Sequence, residues 1–459
     1  MTGRRFLLTL ILLLGFSAQA LPNPQALPNP QPLPSPQALP NPQPLPNPQP
    51  LPNPQPLPNP QPLPNPQPLI VQISPTANIT SITMVLGGSL VDTIPGANIH
   101  LLNVPVVPPS FLASSLGIEW MELNAGVTLP GFVQVGMLTV PGPTAADWYK
   151  YQPSMQLIRA GAALPYSTGQ GVVVADINSQ VDYAHSALVG HLTSGYDFVT
   201  NRPAGSAALN QAETGFLDQA ETGFLDQAET GFLDQYGAVL VSSPLGGFFG
   251  VFNPAYSHGT LCAGIIAAIA PSSMIMPLRV FDAFGRSDIF TIAKAIRYAE
   301  QHGAQVINMS FGTLTPSQAL SRAVTHAQNA GIILSASAGN NNTSAPQYPA
   351  GLSGVLTVAA TDLLDRKASF SNYGSSVFVD APGVNIISAY PGGYYSMVSG
   401  TSFSAPAVAG TIALIRSLRT TGIGDSISSS SINIDSVNPG YANQLGYGRI
   451  DVLQAVHPE

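Results

Sequence analysis

Apolar runs alternate with longer mixed segments through the second half of the chain, and each change is marked by glycine or proline. Strands are predicted at 171–176, 274–280, 305–310 and 332–337, and helices at 289–301 and 316–329. Gly303 and Gly331 follow the two helices as stop signals, and Pro316 stands near the start of the second. Alternation of this kind predicts an α/β fold, with a mostly parallel sheet that carries helices on both faces.

A different order of elements precedes this region, between residues 69 and 131. Strands are predicted at 70–73, 89–91, 99–102 and 118–123, and helices at 77–86 and 110–115. The resulting β-α-β-β-α-β order is the ferredoxin-like pattern. We therefore expect a small α+β domain ahead of the large one.

The first 68 residues contain no pattern typical of a globular domain. Residues 1–20 predict a secretory signal peptide, with Arg4 and Arg5 before a short apolar core and a small-residue cleavage pattern at Ala18–Ala20. Residues 21–68 repeat the hexad Leu-Pro-Asn-Pro-Gln-Pro with small variations. Because proline fixes φ and removes backbone donors, this repeat predicts an extended linker, either a stalk or an expanded low-complexity segment without a partner.

Composition narrows the possible functions. The 459 residues are 45% hydrophobic but only 8% charged, with a net charge of -8. Such a chain has no basic footprint, so we expect no nucleic-acid partner. Its one cysteine, Cys262, excludes both an intrachain disulfide and a zinc site built from several cysteines.

Three polar residues lie at the end of a predicted strand or at the start of a predicted helix, where the functional side chains of such a sheet are expected. Ser402 lies in a small-residue turn that leads into an apolar helix, where backbone N–H groups point outward and favour an oxyanion. His258 precedes Gly259 and Thr260 at the polar start of another apolar helix. Asp176 ends the predicted strand 171–176, and ligands gather at such strand ends.

These stretches, in the chain order Asp, His, Ser, resemble the subtilisin-like serine protease family over roughly residues 148–456. The resemblance implies a catalytic triad of Asp176, His258 and Ser402, in which Asp176 orients the imidazole and His258 acts as general base. It also implies an oxyanion hole made by Asn340 and the Ser402 N–H. The substrate-binding residues that it implies are Ser310, Phe311, Gly312, Ala338 and Gly339. By the same resemblance, residues 69–131 correspond to a propeptide that is cut off somewhere between 123 and 148; the alternative is an unrelated small domain that stays attached.

The residues after Asp176 depart from the family pattern. The family has Ser or Thr and then Gly at the two positions where this chain has Ile177 and Asn178. His185 also comes two residues later than usual. Asp182 is the rival candidate for the triad, but it has no apolar strand before it, so we assign the role to Asp176 and expect Asp182 and His185 to stabilise the loop.

Residues 200–255 form an insertion between the Asp and His motifs. An acidic octad that begins Gln211-Ala212-Glu213-Thr214 repeats as far as Asp234. An expanded surface loop is the simplest interpretation. A flap over the substrate or a calcium-binding array is the functional alternative.

Together these observations predict a secreted, monomeric serine endopeptidase that is made as a zymogen and acts on protein or peptide substrates. The chemistry requires no cofactor and no catalytic metal, although the family resemblance makes a structural calcium ion plausible. No membrane span is expected in the mature protein. Two alternatives stay open: a protease-like envelope protein that only binds, and a protease that cuts only its own propeptide.

Overall fold

The computed structural model describes residues 66–140, 147–205, 239–241 and 254–458. The predicted signal peptide, nearly all of the hexad repeat and the octads therefore lie outside the described residues. Within the described ranges, no helix combines the length and apolar character needed to cross a membrane.

The N-terminal unit has the predicted ferredoxin-like order. Its strands are β1 (Gln67–Ile73), β2 (Ser89–Ile94), β3 (Ile99–Val104) and β4 (Ile118–Leu123), and its helices are α1 (Ile79–Val85) and α2 (Ser110–Ser115). The strands pair antiparallel in the order β2-β3-β1-β4. Both helices pack against the apolar side of this sheet, where Leu69, Val71 and Leu102 are fully buried.

The remaining strands build the predicted parallel sheet and two smaller ones. They are β5 (Gly126–Thr128), β6 (Val133–Thr139), β7 (Val173–Asn178), β8 (Tyr196–Asp197), β9 (Arg202–Pro203), β10 (Val239–Val241), β11 (Met274–Arg279), β12 (Arg286–Asp288), β13 (Val306–Met309), β14 (Ile333–Ser337), β15 (Leu356–Thr361), β16 (Val379–Pro382), β17 (Ile386–Tyr390) and β18 (Tyr394–Ser399). The large sheet has the order β16-β15-β14-β13-β7-β11-β8-β9 and is parallel except at its β8–β9 edge. The order β10-β6-β18-β17 forms an antiparallel sheet, and β5 pairs with β12.

Helices cover both faces of the large sheet. They are α3 (Pro153–Leu157), α4 (Ala160–Ala163), α5 (Pro254–Ile269), α6 (Ile289–Gln301), α7 (Gln318–Asn329), α8 (Thr401–Arg416), α9 (Ile423–Ser430) and α10 (Val452–Val456). The predicted helices 289–301 and 316–329 are thus confirmed, the second beginning after the N-cap residue Ser317.

Successive residues of each strand contribute to different faces of the sheet. In β7, Val174 packs in the apolar cluster that contains α5 and α8, whereas Ala175 packs in the cluster that contains α6 and α7. Because side chains alternate along a strand, Asp176 and Asn178 fall on the same face as Val174. Two buried polar residues therefore point from β7 towards α5 and α8.

The N-terminal unit packs against α6 and α7. Ile70 and Trp120 belong to the same apolar cluster as residues of these two helices. Glu122 accepts hydrogen bonds from the backbone N–H groups of Gln318 (2.8 Å) and Ala319 (2.9 Å), at the N-terminus of α7, where a negative charge is favoured.

Candidate active site

Ser402 is the second residue of α8 and is fully buried. The first N–H groups of a helix have no partner within the helix, so this position presents backbone donors. The Ser402 hydroxyl donates to the carbonyl oxygen of Ser310 at 3.1 Å. In turn, the Ser310 hydroxyl donates to the Ser402 carbonyl oxygen at 2.9 Å. The end of β13 and the start of α8 are therefore joined side by side.

His258 lies in the second turn of α5, with its ring buried against the carboxyl end of β7. Its Nδ1 is 2.7 Å from Oδ1 of Asn178, while its Nε2 is buried and has no hydrogen-bond partner. An amide oxygen can only accept, so Nδ1 carries the proton and Nε2 is left as the acceptor. This is the tautomer that a general base requires.

The structure contradicts the predicted contact between Asp176 and His258. The Asp176 carboxylate instead accepts from Nδ2 of Asn308 at 2.8 Å and from Nδ2 of Asn178 at 3.2 and 3.3 Å. The physical reason is that β7 continues to Asn178 and does not end at Asp176. Asp176 therefore lies one side chain further from the helix, behind Asn178.

The sequence contained the signal for Asn178. With the family motif placed on Asn178, Ser179 fills the position of the usual Ser or Thr, and His185 returns to its usual spacing. Gln180 still replaces the expected Gly. Asp176 was assigned to the triad because it carries a carboxylate, whereas the spacing of the motif indicates Asn178.

Burial shifts the pKa of the ionisable groups around this site. It raises the pKa of Asp176 to about 7, against the opposing effect of the hydrogen bonds from Asn308 and Asn178. It lowers the pKa of His258 to about 3, and it raises the pKa of Cys262 well above its ordinary value, with the Asp176 charge adding to the effect. His258 is therefore neutral and Cys262 a protonated thiol at neutral pH.

Asp182 and His185 are both tied to neighbouring loops. The Asp182 carboxylate accepts from the N–H groups of Ala184 and Gly392, both at 2.9 Å. His185 Nε2 donates to the Tyr394 carbonyl oxygen at 2.7 Å. Neither side chain is hydrogen-bonded to His258, in keeping with the loop role expected for them.

Asn340 stands beside the start of α8, as expected for an oxyanion-hole residue. Its Oδ1 accepts from the Thr401 N–H at 2.9 Å and from the Thr401 hydroxyl at 2.8 Å. These two bonds turn the Nδ2 group outward, and Nδ2 donates to the carbonyl oxygen of Gly131 at 3.0 Å. The donor that would hold an oxyanion is thus already paired with a backbone carbonyl group of this same chain.

The segment around Gly131 covers the site, and it lies within the interval 123–148 in which the family resemblance implies the propeptide cut. The Phe132 ring lies 5.7 Å from the His258 ring and 5.0 Å from the Phe403 ring, centroid to centroid. Just before it, β5 pairs antiparallel with β12, and the Leu129 N–H donates to the Gly285 carbonyl oxygen at 2.8 Å. Contacts of this kind are those of an extended peptide bound by its main chain.

The predicted substrate-binding residues lie at the carboxyl ends of β13 and β14, and Gln347 lies between them. A Cβ atom at Gly312 would stand 2.3 Å from the Gln347 side chain, and one at Gly339 would stand 2.9 Å from it. The Gln347 Nε2 group donates to the Ser337 carbonyl oxygen at 2.8 Å and is buried. Gln347, which sequence analysis missed, therefore fills the space between the two predicted walls.

The described residues contain no group of three or more His, Cys, Asp or Glu side chains arranged to hold a metal ion. The described part of the chain therefore offers no carboxylate cluster for the structural calcium ion that the family resemblance suggested.

The model of the subtilase family matches residues 169–448. Thermitase from Thermoactinomyces vulgaris is 34% identical over 272 residues, which cover 57% of this chain and 81% of thermitase. The thermophilic serine proteinase of Bacillus sp. strain AK1 is 33% identical over 329 residues, which cover 69% of either chain.

Among solved structures, fervidolysin from Fervidobacterium pennivorans, a keratinolytic enzyme related to subtilisin, superposes with a TM-score of 0.65 at 23% identity. The match covers 86% of this chain and 61% of fervidolysin and shows that the fold is shared. With Ser402, His258 and Asn340 gathered at one end of a parallel sheet, these matches show that the chain belongs to the subtilase family and is a subtilisin-like serine endopeptidase.

Proposed function

We propose that this subtilase is made as a secreted zymogen whose first substrate is its own Gly131–Phe132 peptide bond. The observation that carries the proposal is the 3.0 Å hydrogen bond from Asn340 Nδ2 to the Gly131 carbonyl oxygen. A carbonyl group held by an oxyanion donor is placed for attack. The bond that follows Gly131 is then the one that would break.

The chemistry follows from the atoms around that carbonyl group. The Ser402 hydroxyl turns from the Ser310 carbonyl oxygen to the unpaired Nε2 of His258, gives up its proton there and attacks the Gly131 carbon atom. The oxyanion is held by Asn340 Nδ2 and the Ser402 N–H. Collapse of the intermediate expels the Phe132 amine, which takes the proton from His258, and water then releases Gly131 from Ser402.

The primary pocket supports a preference for small residues. Gly131 is the residue whose carbonyl group would be attacked, and it has no side chain. Gln347 occupies the space between Gly312 and Gly339, where a larger side chain would otherwise enter. We therefore propose Gly and Ala as preferred residues on the acyl side of the cut bond.

The N-terminal unit would then act as an inhibitor that covers the site until cleavage. Its segment Gly126–Thr128 pairs with β12, and Phe132 packs on His258. Ser402 and His258 are both fully buried beneath this cover. Residues 1–20 would direct secretion as a cleaved signal peptide, and the hexad repeat would link it to the inhibitor.

A second candidate function is a protease that cuts only itself. The observation that favours it is Asn178, which occupies the contact to His258 Nδ1 where a triad normally has a carboxylate. A weakened triad can still cut a bond held permanently in the site, because a tethered substrate has a high effective concentration.

The test compares the secreted wild-type protein with Ser402→Ala and with Ser404→Ala. Ser404 is a matched control because it is a buried serine of the same helix, with its hydroxyl directed to the Pro382 carbonyl oxygen. We expect denatured wild-type and Ser404→Ala samples to contain a fragment that begins at Phe132, whereas Ser402→Ala stays joined there.

Casein hydrolysis in the same samples separates the two candidates. Cleavage of casein by the wild type supports a general endopeptidase, while self-cleavage without it supports the second candidate. A different new N-terminus would overturn the Gly131–Phe132 assignment, and a wild type that stays joined would overturn self-processing.

A further inference from the structure

Three polar side chains form a continuous buried chain from β7 to the general base. Asp176 accepts from the amide group of Asn178, and the amide oxygen of Asn178 contacts His258 Nδ1. All three side chains are at most 1% exposed. A carboxylate, an amide and an imidazole therefore follow one another where a triad has only a carboxylate and an imidazole.

We propose that Asp176 and Asn178 together replace the single carboxylate of the triad, with Asp176 as a positioning residue that fixes the Asn178 amide. This inference rests on the serine protease activity proposed above. Asn178 makes the contact to His258, and Asp176 supplies the negative charge behind it.

The orientation of the amide group decides whether the imidazole can act as a base. If Asn178 turned its Nδ2 towards His258, Nδ1 would have to accept and the proton would lie on Nε2. A protonated Nε2 cannot take the proton of Ser402. An asparagine at this position is useful only if its surroundings exclude that orientation.

Two contacts exclude it. On one side, both oxygens of the Asp176 carboxylate can only accept, so the amide nitrogen must face them. On the other side, the backbone N–H of Ser179 donates to Oδ1 of Asn178 at 2.8 Å, which holds the oxygen near His258. Asn308 fixes Asp176 in turn, through its own Nδ2 at 2.8 Å.

The charge of Asp176 gives the arrangement a dependence on pH. The neutral residues that face it are Asn178, Asn308 opposite it on β13 and Pro277 opposite it on β11. The nearby titratable groups are Cys262, which stays protonated, and, beyond Asn178, His258, whose pKa is already low. A rise of activity near neutral pH would therefore report ionisation of Asp176, whose pKa is about 7.

The first test reads the tautomer directly and needs no activity. Nitrogen NMR of histidine-labelled protein in a Ser402→Ala background should show His258 protonated at Nδ1. Asp176→Asn should convert a measurable fraction to the Nε2–H form, because its amide group no longer dictates the orientation of Asn178. Asp380→Asn is the matched control, since Asp380 is a fully buried carboxylate of β16 and its loss should leave the His258 signals unchanged.

The second test exchanges the two residues. Asp176→Asn alone should lower kcat roughly 10- to 100-fold with little change in KM, less than the roughly 10⁴-fold loss from the wrong tautomer because Ser179 still holds Oδ1. It should also remove the rise of kcat near pH 7. The double variant Asp176→Asn/Asn178→Asp keeps the same atoms and places the carboxylate on His258, so its kcat should return to the wild-type value or exceed it.

The outcomes are separable. If Asp176→Asn had the kcat, the pH profile and the His258 tautomer of the wild type, the positioning role of Asp176 would be overturned. A double variant that is no more active than Asp176→Asn would overturn it too. If wild type cuts neither itself nor casein but the tautomer shifts as expected, the arrangement stands and the protease activity fails. Should Asp176→Asn not fold, the double variant and Asn308→Ala, which frees the carboxylate from the other side, carry the same test.

Discussion

The two sides of His258 differ in how closely they follow the family pattern. On the Ser402 side, hydrogen bonds of 2.8 to 3.1 Å join Asn340 to Thr401 and Ser402 to Ser310. On the β7 side, an amide replaces the expected carboxylate, which lies one side chain further back. The nucleophile and the oxyanion donors act on the substrate directly, so the identity and position of their atoms are fixed. The residue that orients His258 has only to supply a hydrogen-bond acceptor for Nδ1 and a negative charge nearby.

The largest expected effect is on the free energy of unfolding, and it tests the β7 side of His258. An unfolded Asp loses its proton near 3.8, but Asp176 in the folded protein keeps it until about pH 7. Between these values the folded state binds more protons, so the free energy of unfolding should fall as pH rises, by about 4 kcal/mol at most. Asp176→Asn should lack this contribution, and its stability relative to wild type should increase from pH 4 to pH 8.

Denaturant unfolding of both proteins in a Ser402→Ala background measures this difference without self-cleavage. A stability difference that stays constant with pH would mean that Asp176 is ionised throughout the range. Its pKa would then not be raised, and the electrostatic difference between the two sides of His258 would not exist.

The next largest effect tests the Ser402 side. Asn340→Ala removes the Nδ2 donor to the attacked carbonyl oxygen, and loss of one oxyanion donor lowers kcat roughly 10²- to 10³-fold in proteases of this family. Self-cleavage at Gly131 should slow by a similar factor in a time course of denaturing gels. Asn341→Ala is the control, because the neighbouring side chain is exposed and only its N–H is used. Equal rates in the two variants would contradict the role of Asn340.

The smallest effect concerns the pocket. Gln347→Ala should open the space between Gly312 and Gly339, because the glutamine amide lies against both glycines. We expect kcat/KM for peptides with Leu on the acyl side to rise about 10- to 100-fold relative to peptides with Gly there. Activity on the Gly peptides serves as the internal control. An unchanged ratio would show that another residue limits the pocket.

The fold was predictable because its signals are local. Buried runs such as 306–309 and helix boundaries such as Gly303 and Gly331 are read within a few residues of sequence. The Ser402 side was predictable for a similar reason, since short motifs place the residues at the ends of single elements.

The β7 side was mispredicted because strand alternation puts Asp176 and Asn178 on the same face, and both are polar. Only the length of β7 and the hydrogen bond to His258 show which of the two side chains contacts the imidazole. The family resemblance implies a propeptide that is cut between residues 123 and 148, but the contact of Gly131 with Asn340 was not predictable, because it joins residues 209 positions apart.

The pairing of the chain on both sides of Gly131 changes what a cut there would accomplish. Before Gly131, β5 pairs with β12, and Glu122 accepts a hydrogen bond from the start of α7. After Gly131, β6 pairs with both β10 and β18. Two ends anchored in this way would stay together at first when the bond between them is hydrolysed. The nicked molecule would migrate as one body on a native gel and as two on a denaturing gel. Activity on other substrates would then appear only after the N-terminal unit has left the site, however fast the cut itself is.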